Sequence, residues 1–127
     1  MIWNQTRNCN LSENEIWATR LWTRMRGLIG HDFSKFDGMF FPCCSAIHTF
    51  FMGMKIDVLF IDKKGTVLGA YSGVRRWKPS LIEPGAWGTI ELPVGTIERT
   101  ETAIGDVLRL ENAENGAILP EKKEYKG

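Results

Sequence analysis

A chain of 127 residues has the size of a single domain and buries roughly two-thirds of the surface its unfolded form exposes, so its fold requires neither metal nor disulfides. Sixteen basic and fifteen acidic residues leave a net charge of +1, without the basic surplus of a general nucleic-acid binder. No apolar run reaches the roughly 18 residues of a spanning helix, the first ten residues lack the pattern of a secretory signal, and three cysteines suit reduced thiols better than a disulfide framework.

The expectation is therefore one cytoplasmic domain over residues 1–127, with no nucleic-acid or membrane partner. Residues 1–6 carry Ile2 and Trp3 and read as a short edge strand. A turn at Asn8, Cys9 and Asn10 follows, then a second strand over 13–18. Residues 19–29 give the clearest helix. Ala18, Leu21, Trp22, Met25, Leu28 and Ile29 follow the i, i+3, i+4, i+7 spacing of one apolar face. Thr19 suits the N-cap and Gly30 the position just past the end. The opposite face presents Arg20, Arg24 and Arg26, either a solvated basic face or a docking surface for an anionic partner.

Residues 31–37 read as a loop and 38–41 as a strand that Pro42 ends, because proline cannot donate to the ladder. Cys43, Cys44, Ser45 and Ala46 make a tight connection. The stretch 47–62, IHTFFMGMKIDVLFID, is the most apolar of the chain, yet it contains His48 and Asp57. Polar groups in such a run need partners that the fold must supply. The stretch divides at Gly53 into strands 47–52 and 56–62. The second is apolar on both faces apart from its aspartates and is predicted to be central.

Lys63, Lys64 and Gly65 form a hairpin turn, and 66–71 pairs back antiparallel. Residues 72–84 have no regular pattern and hold Arg75, Arg76, Trp77 and Lys78; structureless loops of this length are often functional. Residues 86–92 read as a strand, 96–102 as a short unpatterned segment, Gly105 and Asp106 as a turn, and 107–110 as a last strand. From Glu111 the chain is polar, with a tail over 119–127. Six to eight short strands and one amphipathic helix predict a mainly β (α+β) fold. An antiparallel barrel or sandwich, with the helix plugging one open end, fits that pattern.

Several short motifs recur in a fixed order. Arg26, Gly27 and Leu28 are followed by Gly38, Met39, Phe40 and Phe41, then by Ile47, His48 and Thr49, and by Met52. IDVLFID over 56–62, Glu91-Leu92-Pro93 with Gly95, and Gly105-Asp106 complete the set. In that order and spacing, over about residues 15–110, the chain resembles the uncharacterised ancient conserved region family, domain-of-unknown-function family 192. The resemblance implies a compact, mostly β domain and no established activity. Lys55 departs from the family pattern, in which many members carry a proline before the Ile-Asp or Leu-Asp pair.

Alternate residues of a strand share a face, which groups His48 with Phe50 and Met52, and Asp57 with Leu59 and Ile61. A hairpin would turn both groups toward one pocket and bring His48 near Asp57, a candidate acid–base pair. The alternative is that Asp57 accepts backbone N–H groups from the turn at 53–55. Cys43 and Cys44 precede His48, and at most one thiol could reach the ring; otherwise they are small residues of a tight turn. Neither C-x-x-C nor H-x-x-H spacing occurs, so no metal or cofactor is expected.

The loop with Arg76, Trp77 and Lys78 suits an anionic or sugar-like ligand through ion pairing and stacking. Glu91 interrupts an otherwise apolar strand and is read as pointing inward, as a carboxylate partner for Asp57. The candidate ligand-binding set is His48, Met52, Asp57, Arg76, Trp77, Lys78 and Glu91, with His48 and Asp57 the catalytic candidates. The favoured function is a module binding a small polar or anionic, sugar-like ligand. The alternatives are an interaction or accessory protein using the arginine face of the helix, and a small enzyme built on His48 and Asp57.

Overall fold

The computed structural model describes residues 1–19, 33–47, 54–75, 81–112, 114 and 116–120. In chain order its elements are β1 (Ile2–Asn4), β2 (Cys9–Ser12), β3 (Ile16–Trp17), β4 (Met39–Pro42), β5 (Ala46–Ile47) and β6 (Ile56–Ile61). They continue with β7 (Val67–Val74), β8 (Leu81–Ile82), β9 (Gly88–Pro93), α1 (Thr96–Thr100), β10 (Leu108–Glu111) and β11 (Ile118–Leu119). The mainly β expectation holds, and the architecture is a sandwich of open sheets rather than a closed barrel. One sheet has the order β3-β4-β9-β6-β7, a second β11-β10-β1-β2, and β5 pairs with β8 in a two-stranded ladder.

All six residues of β6 are buried, because the strand lies between β7 and β9 and both of its faces are covered. The alternation along each strand sorts the side chains into two cores. Leu59, Ile61, Ile90, Leu92 and Phe40 face one way and meet Ile2, Leu11, Leu108 and Leu110 of the four-stranded sheet. Ile56, Val58, Phe60, Met39 and Phe41 face the other way and form a second cluster with Ile47 and Leu81 of the small ladder. Each of these buried side chains contributes roughly 1.5–3 kcal/mol relative to exposure.

Gly65 closes the β6–β7 turn, with its N–H donating to the Asp62 carbonyl. It has φ +81°, and a Cβ there would lie 2.3 Å from the Leu108 carbonyl oxygen. Only glycine satisfies both constraints. The predicted hairpin and the central place of 56–62 therefore stand.

Several boundaries differ from the sequence reading. β1 lies between β10 and β2 rather than at an edge. Cys9 and Asn10 belong to β2, and the turn before it is completed by Asn8 at φ 54°. The stretch read as unpatterned from 72 onward begins as the end of β7 and contains β8. Residues 96–100 form a helix, and Ile118–Leu119 pairs with β10 inside the segment predicted to be polar. The helix expected over 19–29 lies, beyond Thr19, outside the described residues. So do most of the strand expected over 47–52 and the tail from residue 121 onward.

Candidate functional site

Glu91 occupies the middle strand of the five-stranded sheet, opposite Met39 of β4 on one side and Val58 of β6 on the other. Cross-strand partners share a face, and both neighbours belong to the cluster that faces away from the four-stranded sheet. Continued outward, the same row reaches Tyr71 beyond Val58 and Ile16 beyond Met39. A carboxyl thus stands in a row of otherwise non-ionic side chains at its own level of the sheet. It is 5% exposed, and Oε2 has no hydrogen-bond partner among the described residues. Burial pushes its pKa from 4.5 up to about 8, so at neutral pH the group is a neutral acid.

The other buried acids among the described residues accept hydrogen bonds. Asp57 sits opposite Leu92, on the face that packs against the four-stranded sheet. Its Oδ1 accepts the Gly73 N–H at 2.9 Å and a longer contact from Ser72 Oγ at 3.4 Å. Oδ2 accepts the Ile97 N–H at 2.9 Å. The N-cap residue of α1, Gly95, has no side chain to offer, so Asp57 supplies from another strand the acceptor that the first turn lacks. Asp57 does accept backbone N–H groups; among the described residues they come from Gly73 and Ile97, and Gly53 of the turn at 53–55 lies outside the described residues.

Asp106 accepts from Asn4 Nδ2, Arg7 Nε and the Ala103 N–H. Burial pushes its pKa up, but these bonds and the Arg7 charge outweigh it and hold the carboxyl below the usual range. Asp37 behaves alike, with Ser12 and the N–H groups of Glu13 and Asn14 overcoming burial. Among the described residues, Glu91 is the exception.

Asp57 and Glu91 lie on strands one register apart, so alternation sends them to opposite faces. The carboxylate pair expected from the sequence is not formed. His48 and Met52, and likewise Arg76, Trp77 and Lys78, lie outside the described residues. The ends of their two runs are described. Ile47 pairs with Leu81, and Ile56 pairs with Val74. The runs 48–53 and 76–80 therefore leave from neighbouring strand ends, and Glu91 is level with Val58, two residues in from that edge.

Two further residues join the row without having been expected. The Tyr71 hydroxyl donates to Glu83 Oε2 at 2.9 Å, and this bond, with burial, raises the phenol pKa. Gly69 makes room for the pair, since a Cβ there would lie 3.0 Å from the Tyr71 ring and 3.2 Å from the Glu83 carboxyl. Period-two reading puts Tyr71 in β7, but the register shift between β6 and β7 sets which residue it faces, and no local pattern reports that shift. Cys44 Sγ donates to the Ala46 carbonyl at 3.0 Å, and its own carbonyl accepts Thr89 Oγ1 at 2.8 Å. Cys43 is exposed, with φ 55°. Among the described residues no group of three His, Cys, Asp or Glu is arranged to hold a metal ion, and no helix is long and apolar enough to cross a membrane.

The fold is shared with solved structures of low sequence identity. A protein from Sinorhizobium meliloti 1021, provisionally described as a transcription regulator, superimposes with TM-score 0.65 at 22% identity, over 74% of this chain and 78% of that one. A protein of unknown function from Novosphingobium aromaticivorans DSM 12444 gives TM-score 0.66 at 17% identity, over 76% and 74%. At these identities the likeness establishes the fold alone. A UPF0127 protein of Thermococcus sibiricus (strain DSM 12597 / MM 739) is 35% identical over 80 residues, which are 63% of this chain. The match spans about half the length of that relative, 51%. The model of the family DUF192, described as "Uncharacterized ACR", matches residues 4–110, a wider span than the motifs alone indicated. The chain belongs to that family.

Proposed function

We propose that this domain is a binding module for a small polar ligand, received on the apolar face of the five-stranded sheet around Glu91. One observation carries the reading: a carboxyl oxygen buried among apolar side chains with no partner among the described residues, where the other buried acids, Asp57 and Asp106, each accept several hydrogen bonds. Leaving such a group unsatisfied costs roughly 1–3 kcal/mol, and a ligand group that completes it recovers that cost. An apolar wall with few polar groups is the usual character of a small-ligand site. The proposed site is Glu91 with its described neighbours Met39, Val58, Phe60 and Tyr71; His48, Met52, Arg76, Trp77 and Lys78 lie outside the described residues and are not assigned to it. Asp57 contributes by bracing the opposite face.

The test is a thermal-shift panel of sugars, carboxylates, nucleotides and amines on the wild type and on Glu91→Leu. At least one class should raise the wild-type melting temperature and lose its effect in the variant. A panel in which no compound shifts the wild type would overturn the binding-module reading.

A further inference from the structure

Resting on the binding-module reading, we infer that the ligand group received at Glu91 is a protonated amine carried on an apolar body. Three observations select this chemistry over an anion or a neutral alcohol. The buried polar residues among those described include two other acids, Asp57 and Asp106, and no lysine, arginine or histidine. An anion reaching this face therefore meets a carboxyl and no buried cation among the described residues. Beyond Tyr71, the last residue of Glu91's row, a second carboxylate, Glu83, accepts from the Tyr71 hydroxyl and adds negative potential to the same side of the sheet.

The third observation is the character of the wall. Phe41, Phe60 and Tyr71 pack into the same cluster as Met39 and Val58, and the Phe60 and Tyr71 rings meet edge to face with centroids 5.8 Å apart. Aromatic faces and methionine sulfur are soft, polarizable surfaces that favour a cation over an anion. When an ammonium group reaches Oε2, the carboxyl proton leaves for solvent and an ion pair replaces an unsatisfied acid. Arg75 is exposed and is not part of the buried cluster.

The experiment uses three matched probes, benzylamine, benzyl alcohol and benzoate, titrated calorimetrically into the full chain at pH 6.5 in two buffers of different ionisation enthalpy. Benzylamine should bind at least tenfold more tightly than either partner and release close to one proton per molecule bound. Glu91→Gln and Glu91→Leu should each remove both the preference and the proton release. If the alcohol or benzoate binds as tightly as the amine, or if amine binding releases no proton, the amine assignment is overturned while the binding module stands. If no probe binds and the thermal-shift panel is also silent, both fall.

Discussion

The most direct consequence of the structure is that Glu91 should make the protein less stable as pH rises through the neutral range. The folded-state pKa is raised to about 8 from the ordinary value of 4.5. An acid raised in this way keeps its full contribution below pH 4.5, where both states are protonated. Between pH 4.5 and about 8 the folded chain holds a proton that the unfolded chain has lost. Stability then falls with slope 2.303RT per unit, about 1.4 kcal/mol. From pH 4.5 to pH 7 this amounts to about 3 kcal/mol, a large share of the 5–15 kcal/mol typical of a whole domain.

The perturbation is Glu91→Gln, which keeps the shape and removes the titration. The assay is urea unfolding of both proteins at half-unit intervals from pH 4.5 to pH 8, reading the difference in unfolding free energy. Groups common to both chains cancel in that difference. Asp37 and Asp106 in any case act at lower pH, because their pKa values are depressed. The variant should gain on the wild type by about 3 kcal/mol between pH 4.5 and pH 7. A difference that stays flat within about 0.5 kcal/mol over that range would show that Glu91 is hydrated or paired, and the case for the site would lose its foundation.

Three other substitutions test the frame that holds the site. Asp57→Ala leaves the Gly73 and Ile97 N–H groups without their acceptor and should cost about 3 kcal/mol or more by urea unfolding; wild-type stability would refute the bracing role. Gly65→Ala forces a side chain into φ +81° against the Leu108 carbonyl and should cost about 1–3 kcal/mol, read as a fall in melting temperature. Asp106, with its depressed pKa, contributes stability above its unfolded pKa that is lost as pH falls through the folded value. Asp106→Asn should therefore be less stable at neutral pH and lose less on acidification below pH 4; parallel acid-unfolding curves would contradict this.

What could be read from the residues alone follows from the range of the signals. IDVLFID is apolar at every position but its aspartates, so its burial on both faces was visible locally. So was the burial of Glu91, a single acid that interrupts an otherwise apolar strand. The partners of Asp57 were not visible: Gly73 and Ile97 lie sixteen and forty residues away, and nothing near either announces an N–H waiting for an acceptor. Five residues, Thr96–Thr100, are too few to show a helical period. Ile118 and Leu119 were concealed by polar neighbours, although they complete the sheet beside β10. The interior place of β1 depends on β10 arriving from more than a hundred residues away.

Asp57 and Glu91 look alike in sequence, each a lone acid within an apolar strand, and the sheet gives them opposite parts. Asp57 faces the permanent interior between the two sheets, where an unsatisfied charge would be a standing cost, and its bonds are complete. Glu91 faces the other cluster and has an oxygen without a partner among the described residues. The two situations predict opposite signs for the same kind of change. Replacing Asp57 by an apolar residue strands two donors and must destabilise the fold. Replacing Glu91 by leucine strands nothing among the described residues and removes a group that resists burial, so at pH 7 the variant should be more stable by about 3 kcal/mol. Destabilisation by Glu91→Leu comparable to that of Asp57→Ala would mean that Glu91, too, is a structural acid. A gain in stability with a loss of ligand response is the pattern of a residue kept for binding at the expense of the fold.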